Sequence, residues 1–115
     1  MFDFEKLTVY TKAKSFNAEV LKLMVENPGL DRVTKDQLRR ASFSIMLNIA
    51  EGTSRITKPS RRNFYVIARG SVFEYVVIFD FLKDQKAITT QQYSGYYQSC
   101  EELSKMLFKM IRNLE

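Results

Sequence analysis

Residues 37–55, QLRRASFSIMLNIAEGTSR, decide the fold. Leu38, Ala41, Ile45, Asn48/Ile49 and Gly52 recur every three or four residues, which sets them on one stripe of a helix beginning near Thr34. Such a stripe has to face a core. Its polarity is unusual: Ser42, Ser44 and Asn48 interrupt the apolar run, and Glu51, Gly52 and Arg55 close it where a plain core helix carries Leu or Ala. Asn48, Glu51 and Arg55 stand at i, i+3 and i+7, along one side of the last two turns. Two readings of this trio stay open. In one it is a packing device, a polar cluster in which Asn48, Glu51 and Arg55 meet Arg69 or Glu74 of a neighbouring helix, brought close by small Ala50 and Gly52. In the other, Glu51 and Arg55 face a ligand or a nucleic-acid strand.

The rest of the chain repeats the helical period. Val9, Ala13, Phe16, Val20 and Leu23 follow gaps of 4, 3, 4 and 3, and Tyr10, Leu21 and Met24 widen that stripe. Asp3 is a plausible N-cap for this first helix, and Asn27-Pro28-Gly29 stops it. Pro59 and Ser60 separate the central helix from a third, with Ser60 as its expected cap. The third helix carries Phe64, Ile67/Ala68, Ser71, Tyr75, Ile78 and Phe81/Leu82 on one stripe but is apolar nearly all round from Val72 to Leu82. A helix of a small bundle buries one face, so the excess predicts a subunit contact through Val72, Val76, Phe79 or Tyr75. The last helix starts at Thr89 or Thr90 and repeats Tyr93, Tyr96, Cys100, Leu103, Leu107, Met110 and Leu114 as a heptad-like seam. Helices over 4–26, 34–55, 61–85 and 90–114, joined by short links, predict an all-α, antiparallel up-and-down four-helix bundle forming one domain over 1–115.

Composition narrows the chemistry. With 115 residues, 45% hydrophobic and 27% charged, the chain has the balance of a globular domain. No apolar run reaches membrane-spanning length, and Phe2-Asp3-Phe4-Glu5-Lys6 is unlike a secretory leader, so a cytoplasmic protein is expected. Histidine is absent, which removes the commonest general base and most transition-metal sites. Cys100 has no disulfide partner and is read as core. Glu101-Glu102, the one adjacent acidic pair, is read as solvated. Neither an enzyme, a cofactor nor a metal site is expected.

The net charge of +5 is unevenly placed. From Arg32 to Arg69 nine basic residues face only Asp36 and Glu51, a net +7, and seven of the nine are arginine. The planar guanidinium fork suits phosphate. Arg55, Lys58, Arg61 and Arg62 gather beside the N-terminus of the third helix, whose free N–H groups also favour anions. With Arg39 and Arg40 they form the candidate nucleic-acid face, holding RNA or DNA by its phosphates. The other reading of the same face is a scaffold that docks an acidic partner such as a reverse transcriptase or another polymerase.

QLRRA (37–41), SI with NIAEG (44–45 and 48–52), Arg55, and IARGS with Glu74 (67–71, 74) resemble the four-helix-bundle proteins encoded in 23S ribosomal RNA intervening sequences. These are similar to the accessory variability proteins of diversity-generating retroelements. FEKLTVYTKA (4–13) is similar to the family's start, so the resemblance spans roughly residues 4 to 85, the last helix matching in pattern. It implies an up-and-down bundle, assembly into a homo-oligomeric ring, typically a pentamer, a nucleic-acid-binding basic surface and no established catalysis. Two positions depart from the family. Met46 stands where a proline is frequent, so a kink expected there is absent, and Tyr10 stands where tryptophan is common.

Overall fold

The computed structural model describes residues 1–115 and contains four helices and no strand. They are α1 (Thr8–Glu26), α2 (Arg32–Ser54), α3 (Lys58–Asp84) and α4 (Thr90–Arg112), preceded by a 3₁₀ turn over Asp3–Lys6. Short links force successive helices antiparallel, and the result is the expected up-and-down bundle, 44 × 23 × 21 Å. Each helix lies beside its sequence neighbours and α1 closes the square against α4. The backbones run closest together at α2–α3 and α3–α4, while α1 stands farther from its neighbours.

Three helix starts differ from expectation. Asp3 does not cap a helix from residue 4: the chain makes its 3₁₀ turn, extends at Leu7 (φ −82°, ψ 126°) and restarts at Thr8. The break lets Phe4 meet Tyr10 edge-on, with ring centroids 4.8 Å apart, and turns Leu7 onto the core. The cap of α2 is Asp31, not Thr34; its carboxylate accepts the Thr34 N–H at 2.7 Å. That bond holds the Asp31 carboxyl below its ordinary range, and the charge also answers the positive end of the helix. Thr57, not Ser60, caps α3, accepting the Ser60 N–H at 3.3 Å, with Pro59 in the first turn where a missing N–H costs nothing. At α4 the expected start holds: Thr89 and Gln92 form a reciprocal capping box with bonds of 2.8 and 2.9 Å.

The core follows most of the predicted stripes on three helices, though Leu21 of α1 is exposed and Ile111 is buried on α4 in place of Met110. Val9, Ala13, Phe16, Val20 and Leu23 of α1, Leu38, Ala41, Ile45 and Ile49 of α2, and Cys100, Leu103 and Leu107 of α4 are all buried. Helix α2 runs unbroken through Met46. Helix α3 departs from its prediction. Val72, Tyr75 and Phe79, expected at a subunit contact, are 0%, 0% and 1% exposed within this single chain. Ala68, Val72, Tyr75, Phe79 and Leu82 follow gaps of 4, 3, 4 and 3 and form a single stripe buried between α2 and α4, in place of the expected Ile67 and Ile78. The apolar excess emerges at Val66, Ile67, Phe73, Val77 and Phe81.

Candidate nucleic-acid interface

The basic corner is built where α2 hands over to α3. Gly52 sits under the Tyr65 ring, which lets the last turn of α2 press against the first turns of α3. Arg55 ends α2 in extended backbone (φ −83°, ψ 147°), and its carbonyl accepts the Arg61 Nε–H at 2.6 Å. Arg61 therefore ties the corner through Nε, and its terminal nitrogens make no hydrogen bond or ion pair within the chain. The Arg55 guanidinium donates to Glu51 Oε2 at 3.0 Å and lies 4.6 Å from the centre of the Phe64 ring. Lys58 stands at the start of α3, exposed. Arg62 reaches the Glu115 carboxylate at 3.8 Å, whose other oxygen meets Arg112 at 3.3 Å.

The six predicted phosphate ligands fall into two groups. Arg55, Lys58, Arg61 and Arg62 share this corner. Arg39 and Arg40 lie on α2 some sixteen residues away, about 24 Å of helix. They have local partners: Arg39 meets Asp36 at 3.4 Å, and Arg40 crosses to Glu74 of α3 at 3.3 Å. Of the six, only Lys58 and Arg61 have no carboxylate partner.

The predicted polar cluster is dispersed. Asn48 donates to the Ser44 carbonyl at 2.8 Å and to Ser44 Oγ at 3.2 Å, all within α2. Glu51 pairs with Arg55 in its own helix, Glu74 with Arg40, and Arg69 turns away toward α4, donating to the Ser104 carbonyl at 3.3 Å. Asn48 and Glu51 are satisfied within α2, while Glu74 and Arg69 find separate partners in Arg40 and Ser104, so no knot forms between them. The more deeply buried polar joints between helices use short residues. Ser71 Oγ bonds Ser44 Oγ at 2.7 Å, and Asn17 links α1 to α2 and α3. Asn17 left one signal in the sequence, an amide four residues after Ala13 and three before Val20, on the core stripe of α1.

Sequence reasoning also missed the setting of Arg69. Its guanidinium lies 4.9 Å from the Phe73 ring and 5.2 Å from the Phe108 ring. The i, i+4 spacing of Arg69 and Phe73 is the only sequence hint, since Phe108 arrives from another helix. No three His, Cys, Asp or Glu side chains gather as metal ligands would, and no helix is long and apolar enough to cross a membrane.

No curated protein matches the chain. Its fold is similar to the crystal structure of a protein with unknown function from the S23 ribosomal protein family of Bacteroides thetaiotaomicron. That likeness has 24% identity and a TM-score of 0.83, covering 90% of this chain and 98% of the other. The model of the 23S rRNA-intervening sequence protein family matches residues 5–109, through most of α4 and beyond the segment where the motifs lie. With that share of its length matched, the chain belongs to the 23S rRNA-intervening sequence protein family.

Proposed function

We propose that this protein is a non-catalytic, self-associating bundle that binds nucleic acid in the cytoplasm by its phosphates, with the α2–α3 corner as the main contact. One observation carries the reading: Lys58 and Arg61 stand without carboxylate partners beside the N-terminus of α3, flanked by Arg55 and Arg62. The ion pairs of those flanking arginines are half-exposed, and such pairs contribute only about 0–1 kcal/mol. An incoming phosphate displaces them at little cost. The family's name points to ribosomal RNA, which makes RNA the first ligand to test.

The test is a salt titration of binding to labelled RNA and DNA duplexes. Direct binding gives a log K that falls with log salt at about −0.9 per duplex phosphate neutralised. Replacing Lys58 and Arg62 by Ala, and leaving Arg61 to hold its carbonyl, makes the slope shallower by about one per lost contact. No binding at about 50 mM salt by the folded protein overturns the reading and leaves the basic face to an acidic protein partner such as a polymerase.

A further inference from the structure

The groove between α3 and α4 begins at the basic corner, and Arg62 belongs to both. It is an open depression of about 350 Å³ in which Arg62, Arg69 and Arg112 surround Val66, Phe73 and Phe108. Arg69 has no carboxylate partner. One of its five N–H donors goes to the Ser104 carbonyl, and its guanidinium carbon lies 4.9 Å from the Phe73 ring centre and 5.2 Å from that of Phe108. Arg112 flanks Phe108 from 5.7 Å. Both rings are open to solvent, Phe73 at 52% and Phe108 at 45%.

Two half-exposed aromatic rings with arginines fixed among them are an arrangement of a particular kind. A protein partner's apolar surface leaves charge at the rim of a contact, because a buried guanidinium without a carboxylate is costly to desolvate. Here the unpaired guanidinium is central, and three arginines face only one lining carboxylate, Glu115. That charge complements phosphate, and the ring surface that the guanidinium leaves exposed complements bases. Every base has a π-face, so aromatic platforms beside a basic track hold strands without reading sequence. In a duplex those faces are already stacked on one another and out of reach.

We infer that the α3–α4 groove takes single-stranded nucleic acid, with Phe73 and Phe108 stacking unpaired bases while Arg62, Arg69 and Arg112 hold the flanking phosphates. The inference rests on the nucleic-acid reading of the basic corner and adds to it a preference for unpaired strands and a contact to bases.

Fluorescence anisotropy with a labelled oligouridine, the same strand without bases, and a duplex of equal length tests it. The strand with bases binds more tightly than the base-free strand, and Phe73→Leu or Phe108→Leu each removes roughly 5- to 100-fold of that advantage. Neither changes the salt slope, Phe108→Trp preserves binding, and Arg69→Gln makes the slope shallower. Because both rings are half-exposed, the Leu variants stay folded, with only a small drop in the thermal melt from the lost contact to Arg69, which circular dichroism verifies. Equal affinity for strands with and without bases, or a preference for duplex, overturns the groove assignment and leaves the phosphate reading intact. Binding to none of the three overturns both. If Phe73→Leu changes the mass in light scattering and not the affinity, the groove is a subunit contact and the inference fails.

Discussion

Tyr75 Oη donates a 2.6 Å hydrogen bond to Asn17 Oδ1 in the middle of the bundle, and Asn17 Nδ2 donates in turn to the Ser42 carbonyl at 2.9 Å. One amide thus joins α1, α2 and α3. Burial pushes the Tyr75 hydroxyl well above its ordinary range, so it remains a donor at any physiological pH.

Removing one member of this chain strands another. Tyr75→Phe deletes the hydroxyl but leaves Asn17 Oδ1 buried without its donor, a loss of about 1–3 kcal/mol. Urea unfolding is expected to show a lower midpoint with an unchanged slope. An unshifted midpoint would mean that water already satisfies Asn17 and that the link contributes nothing.

Two glycines in helices are expected to respond to alanine with opposite signs. At Gly52 a Cβ would stand 2.8 Å from Tyr65 Cδ1 and 3.0 Å from its Cζ, against a ring only 6% exposed. Overpacking of that kind costs about 1–3 kcal/mol, which outweighs the propensity gain. At Gly70 nothing lies within 4 Å of the new methyl, and Gly70→Ala is expected to stabilise by about 1 kcal/mol. Thermal melts of the two variants shifting in the same direction would refute the packing account.

The bundle was legible because a core stripe leaves its period in the order of residues. Val9 to Leu23, Leu38 to Gly52 and Cys100 to Leu107 are buried where spacing put them. Caps were less legible, since Asp31 and Thr34 both suit the start of α2 and only backbone geometry chooses between them. The buried stripe of α3 was misjudged because nearly every position from Val72 to Leu82 is apolar, so the local pattern does not show that Val72 and Phe79, and not Ile67 and Ile78, face inward. For the site, clustering of Arg55, Lys58, Arg61 and Arg62 follows from their closeness in sequence. The pairing of Arg40 with Glu74 and the meeting of Arg69 with Phe108 depend on helix register, which single residues do not encode.

Cys100 gives a pH-dependent prediction. Burial pushes its thiol up from 9.0 to about 12, so the unfolded chain releases this proton at lower pH than the folded one. Stability from this group is complete below about pH 9 and declines as pH rises toward 12. Cys100→Ala, which lacks the titrating group, should show a shallower decline above pH 9 in denaturant midpoints. A disulfide reagent at pH 8 should label native protein far more slowly than unfolded protein. Fast labelling of the native state would contradict the burial of this side chain.

Self-association remains expected, but through different residues. Arg40 pairs with Glu74 and Ser44 with Ser71, and this antiparallel register brings Leu47 level with Ile67 and Val33 level with Phe81. Val33, Phe43 and Leu47 of α2 and Ile67, Val77 and Phe81 of α3 are each at least 43% exposed. Apolar residues scattered singly over a surface need no explanation, whereas these fall into two groups across the two neighbouring helices, Phe43 and Leu47 with Ile67, and Val33 with Val77 and Phe81. Arg40, paired with Glu74, stands between the two groups. Light scattering at micromolar concentration should give a multiple of the 13.5 kDa chain mass, fivefold if the ring implied by the family resemblance forms. Leu47→Lys with Val77→Lys should reduce the mass to 13.5 kDa and leave the helical circular dichroism signal intact, because both side chains already face solvent in the single chain. Tyr75→Lys should unfold the protein, since Tyr75 lies inside. A parent protein that scatters as a 13.5 kDa monomer would end the self-association reading and leave these exposed residues to another partner.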